Sequence, residues 1–120
     1  MEKKILIVDD AVFIRKVTAN VLKSAGYNDI IEADTGRKAL DLFKSEKPGV
    51  VVLDVTLPDC DDLCVCKEML RLNKDVKIII YTAVSQELVK KEAMEAGVYK
   101  YFNKPMDNEE FLDAVKNAFE

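Results

Sequence analysis

Hydrophobic positions in this chain fall into short unbroken runs separated by longer stretches with helical spacing. Four runs are rich in branched residues: Ile5 to Val8, Val50 to Leu53, Val76 to Tyr81 around one lysine, and Val98 to Phe102 around another. A weaker one covers Asp29 to Ala33. Near-continuous apolarity, in place of strict alternation, is what strands covered on both faces of a parallel sheet display.

The intervening segments repeat apolar residues at three- and four-residue intervals. Phe13, Val17 and Val21 share one face of a helix predicted over residues 11 to 25 and ended by Gly26. Leu40 and Phe43 mark a second helix, with Thr35 as its N-cap and Pro48–Gly49 as its stop. A third, about residues 62 to 72, carries Leu63, Cys66, Met69 and Leu70. The fourth, about 86 to 96, has Ser85 as cap and Gly97 as terminator. Asp107 with Glu110 resembles a capping box that opens a fifth helix, striped by Phe111, Val115 and Phe119. Five strand-helix units without an internal repeat predict an α/β fold of the doubly wound kind. Its parallel sheet of five strands would be flanked by five helices in a three-layer sandwich.

Composition narrows the function. A chain of 120 residues, 49% hydrophobic and 33% charged, suits one globular domain over residues 1–120, with no second module expected. Its 18 basic and 22 acidic residues give a net charge of −4, and no basic run is long enough to track phosphates, so direct nucleic-acid binding is not expected. No apolar stretch reaches membrane-spanning length and MEKKILIVDD lacks a signal-peptide core, so the expectation is a cytoplasmic protein without membrane contact. Cys60, Cys64 and Cys66 form an odd set, poor material for a disulfide framework and in keeping with a reducing compartment. A zinc site is disfavoured, because structural zinc usually takes four Cys or His ligands and the chain has no histidine. Space filling near a helix start is the expected task of the cysteines.

The chemistry lies at the ends of the strands. In open α/β sheets ligands bind beyond the carboxyl ends. There the sequence places Asp9 and Asp10 after the first strand, Asp54 after the third, Thr82 at the end of the fourth, and Asn103, Lys104 and Pro105 after the fifth. Each residue alone has an ordinary explanation as a cap, strand or loop residue. Their convergence on one edge does not. Two carboxylates 4 Å apart repel by about 1 kcal/mol in water and about 4 at the effective dielectric of a protein surface, so a cation belongs among them. Oxygen ligands of this kind suit Mg2+. An acidic metal pocket with one ammonium and one hydroxyl suits phosphoryl transfer, with Asp54 as nucleophile forming an acyl phosphate and Thr82 and Lys104 contacting the transferred oxygens.

IVDDAVFIR, LDVTLPDCDD, IIYTA and YFNKP, in this order and covering the whole chain, resemble a response-regulator receiver domain of the single-domain chemotaxis type. The strand order 2-1-3-4-5 comes with that resemblance. The resemblance implies that Asp54 is phosphorylated by a histidine kinase and that Asp10, Asp54 and the Thr56 carbonyl ligate Mg2+, with Asp9 acting through a metal-bound water. It further implies that Thr82 and Tyr101 form the switch and that the Lys104–Pro105 bond is cis. Phosphorylation would draw Thr82 inward, leaving space that Tyr101 fills, and shift the chain toward a state that binds a partner.

The readout surface would be the fourth helix, fifth strand and fifth helix, where Tyr99, Tyr101 and Met106 would supply contacts. With no output domain expected after Glu120, the signal would pass to a flagellar motor switch protein or adaptor, with a phosphatase as a further partner. Val84 and Thr56 flank the pocket and would tune the acyl-phosphate lifetime. The pattern departs from the family at Asp62, where glycine often follows an aspartate, so the loop there would differ in shape and charge.

Three alternatives share features of this reading. A phosphorelay intermediate would pass its phosphate to a histidine phosphotransfer protein. A flavodoxin-like carrier would need a first loop that welcomes phosphate, and Asp9 and Asp10 would repel it. A turnover phosphatase is disfavoured by the lack of a further acid-base residue, so a stoichiometric switch is expected in preference to an enzyme.

Overall fold

A computed structural model describes residues 3–60, 63–105 and 107–120. The expectations for Asp62 and Met106 lie outside the described residues. Five strands, β1 (Ile5–Val8), β2 (Ile30–Ala33), β3 (Val50–Leu53), β4 (Lys77–Thr82) and β5 (Lys100–Asn103), form one parallel sheet in the order β2-β1-β3-β4-β5. Five helices alternate with them: α1 (Val12–Ser24), α2 (Gly36–Glu46), α3 (Cys64–Leu72), α4 (Glu87–Ala96) and α5 (Asn108–Ala118).

The two-residue period of the strands sorts their side chains into two cores. Ile5, Ile7, Val50, Val52 and Ile79 face α1 and α5, meeting Ala19, Leu22, Phe111, Ala114 and Val115. Leu6, Val8, Val51, Leu53, Ile78 and Ile80 face α2, α3 and α4, meeting Ala39, Phe43, Cys66, Met69, Val89 and Ala93. Both faces are covered, which is why the strands read as apolar runs without alternation.

The helix ends show which local signals act. Thr35 caps α2 by accepting the Lys38 N–H at 3.1 Å, as its position predicts. Gly97 closes α4 at φ 112°, a left-handed conformation that glycine adopts without steric cost. Two caps differ from expectation. The N-cap of α4 is Gln86, not Ser85, and Asp107 occupies the N-cap of α5 without a side-chain capping bond.

The α1 stripe is corrected at two of its three positions, Val21 being half-buried against the core. Phe13 is 76% and Val17 44% exposed, and the buried residues of the helix are Thr18, Ala19 and Leu22. Small Ala19 lets the helix backbone approach the sheet, so close packing selects a different face from the one bearing the largest apolar side chains.

The cysteines depart from expectation as well. Cys60 and Cys64 are joined as a disulfide with their Cα atoms 6.1 Å apart, and Cys66 alone is a free, buried thiol.

Candidate functional site

Sheet hydrogen bonds fix the backbone of the polar residues just beyond the strands. Asp9 N–H donates to the Ala33 carbonyl at 3.1 Å, Asp54 N–H to the Val8 carbonyl at 2.8 Å, and Lys104 N–H to the Thr82 carbonyl at 2.8 Å. Three segments distant in sequence are thereby held by backbone bonds alone. The ladder holds their side chains in a common register at the carboxyl edge.

Asp9 and Asp54 are buried there, 4% and 6% exposed, while Asp10 is exposed. The Lys104 ammonium lies between the two buried acids, 2.6 Å from Asp9 Oδ2 and 3.0 Å from Asp54 Oδ2. It also lies 5.5 Å from the centre of the Tyr81 ring, within cation–π range. Asp54 Oδ1 accepts three further bonds, from Thr82 Oγ1 at 2.7 Å, Thr56 Oγ1 at 2.9 Å and Thr56 N–H at 3.0 Å. Asp9 Oδ1 accepts the Ala11 N–H at 2.9 Å, and Arg15 donates to the Asp9 carbonyl at 2.7 Å.

These contacts set the protonation states. Burial pushes the Asp54 carboxyl upward, but the bonds from Thr56, Thr82 and Lys104 outweigh it and leave its pKa below the ordinary carboxylate value. Burial likewise disfavours charge on Lys104, and the bonds to Asp9 and Asp54 reverse the effect and raise its pKa. Both groups are therefore held as ions at neutral pH. A carboxylate kept ionised at the mouth of a rigid sheet can serve as a nucleophile.

One carboxylate oxygen from each of Asp9, Asp10 and Asp54 lies within 4.8 Å of the others. Hard, anionic oxygens from three sides are the donor set that a small dication such as Mg2+ takes, so the residues present fit that ion. Of the sequence candidates, the structure brings together Asp9, Asp10, Asp54, Thr56, Thr82 and Lys104. The Lys104–Pro105 bond is cis, as expected. Tyr101 lies beyond this group, 7% exposed, with its hydroxyl donating to the Val84 carbonyl at 2.6 Å. Asn103 Nδ2 donates to the same carbonyl at 2.7 Å, and Val84 N–H donates to Thr82 Oγ1 at 3.3 Å. Thr82 and Tyr101 thus meet through the backbone of Val84.

Sequence reading missed two contributors. Arg15 ties the first loop to β2 by pairing with Glu32 at 3.0 Å while holding the Asp9 carbonyl. Asp59 accepts the Gly36 and Arg37 N–H groups at 2.7 and 3.0 Å, capping α2 from 22 and 23 residues away. A Cβ on Gly36 would stand 3.1 Å from Asp59 Oδ1 and 2.9 Å from Val65 Cγ2, so glycine makes this approach possible. Gly36 was the available signal; its partner was not visible in the sequence.

A doubly wound sheet with paired acids, a hydroxyl and an ammonium at its carboxyl edge defines a flavodoxin-like α/β protein with an acidic pocket at that edge. Within that class the chain belongs to the response regulator receiver domain family, whose pattern matches residues 5–116. It is 34% identical to the chemotaxis protein CheY of Thermotoga maritima over 118 residues, covering 98% of both chains. It is 37% identical to sporulation initiation phosphotransferase F of Bacillus subtilis, covering 97% of this chain and 93% of that one. Among solved structures, a CheY-like receiver domain protein from Methanospirillum hungatei superposes with a TM-score of 0.92 at 26% identity, covering 98% of this chain and 93% of that one. A chain of the CheX–CheY–BeF3–Mg2+ complex from Borrelia burgdorferi superposes with a TM-score of 0.91 at 28% identity, covering 98% and 89% respectively. Two-component signalling is the setting of this family, and the strand order expected from the resemblance is the order observed.

Proposed function

We propose that the chain, residues 1–120 as one domain, is a phosphoacceptor switch of chemotaxis signalling in the cytoplasm, with Asp54 as the acceptor. The observation that carries this reading is the Asp54 carboxylate, held ionised by Lys104, Thr82 and Thr56 beside two further acids. An Asp54 oxygen attacks the phosphorus of a kinase phosphohistidine; the P–N bond breaks and an acyl phosphate forms. Asp9, Asp10, Asp54 and the Thr56 carbonyl would hold Mg2+, which supplies charge neutralisation to the phosphoryl oxygens. Lys104 and Thr82 offer the remaining cationic and hydroxyl contacts.

Thr82 and Tyr101 carry the change outward. Their shared contact with Val84 supports this, since movement of the Thr82 hydroxyl alters the segment on which the Tyr101 hydroxyl rests. The α4–β5–α5 face, with half-buried Tyr99, is then the surface whose affinity for a motor switch protein or adaptor changes. A phosphatase would act on the same acyl phosphate. No helix among the described residues is long and apolar enough to cross a membrane.

Incubation with Mg2+ and acetyl phosphate, followed by intact mass, tests the acceptor. The wild type gains one phosphate and Asp54→Asn none; equal gain by both overturns the assignment. The similarity to the sporulation phosphotransferase favours a second reading, a phosphorelay intermediate. Rapid transfer of phosphate to a histidine phosphotransfer domain supports it, whereas phosphate-dependent binding to a motor switch component supports the first.

A further inference from the structure

The residues from Asp54 to Cys60 are tied down at several points. Thr56 bonds Asp54 through its N–H and hydroxyl, Leu57 and Cys60 form an antiparallel bridge, and Asp59 caps α2. The Cys60–Cys64 disulfide adds a covalent tie from this loop to the first residue of α3. Its Cα separation of 6.1 Å is within the range that disulfides span.

The three cysteines differ in access. Cys64 is exposed, Cys60 half-buried, and both line a cleft of about 340 Å³ with Gly36, Arg37, Leu40 and Asp41. Cys64 is also the first residue of α3. Cys66, two residues on, is fully buried, its Sγ directed to the Leu63 carbonyl at 3.3 Å, and burial pushes its thiol up to about 11. One thiol is built to stay inert. The other two are open to small reactants.

We infer that Cys60 and Cys64 form a reversible thiol–disulfide site that low-molecular-weight disulfides oxidise and low-molecular-weight thiols reduce, and that its closed form holds the Thr56–Asp59 loop for cation binding. In the oxidising direction the Cys64 thiolate attacks one sulfur of a small disulfide, RSSR, forming an S–S bond and expelling one thiol, RSH. Cys60 then attacks Cys64 Sγ and expels the second. Two protein thiols and one RSSR become one protein disulfide and two RSH, so two electrons and two protons pass to the small molecule. A surface pair of this kind in a reducing compartment opens and closes with the local thiol pool.

The test has two arms. The folded protein is equilibrated in buffers of graded reduced-to-oxidised glutathione ratio, acid-quenched, alkylated after denaturation and weighed intact. The expected result is a two-thiol transition in the wild type, with Cys66 reduced throughout, and loss of that transition in Cys60→Ser and Cys64→Ser. A pair that stays oxidised at every ratio, or reduced at every ratio, overturns the inference. The coupling rests on the phosphoacceptor reading only for its purpose, since it is read by Mg2+ titration of the oxidised and reduced wild type followed by NMR. We expect the reduced form to bind Mg2+ about fivefold more weakly, the low end of ordinary coupling between sites. Equal affinities overturn the coupling. Failure of acetyl phosphate to label Asp54 would remove the phosphoacceptor reading and leave both arms interpretable.

Discussion

Four residues apart in sequence, Asp9 and Phe13 stand in each other's expected places. The carboxylate is 4% exposed and the phenyl ring 76%. Both invert the burial rule, but their costs differ in kind. A buried charge without a partner is penalised by several kcal/mol, so Asp9 persists only because Lys104 and the Ala11 N–H satisfy it. An exposed ring forgoes a hydrophobic gain but incurs no such penalty, so it needs no compensating contact in the fold. The carboxyl edge is therefore a place where a buried charge is tolerated only through its partners, whereas the outer face of α1 is one the fold leaves unconstrained.

The sharpest test of that contrast uses the two faces of one helix. Leu22→Ala removes a fully buried side chain from the core between α1 and the sheet. We expect a loss of about 3 to 4 kcal/mol in urea unfolding, from lost transfer energy and the cavity left behind. A loss below about 1 kcal/mol would mean that the inner face of α1 is not the packed one.

Next comes the ammonium between the acids. Lys104→Met leaves Asp9 and Asp54 facing each other without a counter-charge. Breaking a fully buried pair costs about 3 to 5 kcal/mol; with the Lys104 side chain 16% exposed, we expect about 2 to 3. The variant's stability should rise with millimolar Mg2+ more steeply than the wild type's, because a bound cation restores the missing charge. Stability unchanged in its absence would break the claim that the ammonium holds the pocket together.

A smaller effect is expected from Thr82→Val, which keeps the shape, deletes a hydrogen bond to a charged acceptor and removes the acceptor of a long bond from the Val84 N–H. About 1.5 kcal/mol should be lost, since Asp54 Oδ1 retains both bonds from Thr56. The pH dependence follows from the same network. Because the Asp54 pKa is lowered in the folded chain, its contribution is fully present above the unfolded value near 3.9. It is lost as pH falls through the lower folded value. Asp54→Asn should therefore flatten the acid limb of the stability curve, measured by unfolding at pH values from about 5 downward.

Much of this was legible in advance, and the reasons separate cleanly. Strands such as Val50–Leu53 announce themselves because burial on both faces demands an unbroken apolar run. The converging polar residues were visible because each sits at a strand end and the fold gathers strand ends. The Asp59 cap on α2 was hidden, since a bond between residues 59 and 36 leaves no local pattern. The α4 cap was misplaced by one residue because Ser85 is the stronger intrinsic capper, while the chain turns helical only after Gln86. The Cys60–Cys64 bond was passed over because an odd cysteine count was read globally, although four-residue spacing across a helix start brings two Cα atoms into bridging range.

The α1 stripe was the largest misreading and yields the smallest predicted effect. Phe13 and Val17 have the spacing of a core face, yet the helix turns Thr18, Ala19 and Leu22 inward. If that orientation is right, Phe13→Ala removes a ring that is already mostly in water. The unfolding free energy should change by less than about 0.5 kcal/mol, the usual range for exposed positions. Measured beside Leu22→Ala under the same conditions, the pair forms an internal scale: the ratio of their losses reports which side of α1 meets the sheet, independent of how stable the protein is overall. A loss of 2 kcal/mol or more for Phe13→Ala would mean the helix is rotated to bury its most hydrophobic stripe, and the Arg15 contact with Asp9 would have to be redrawn with it.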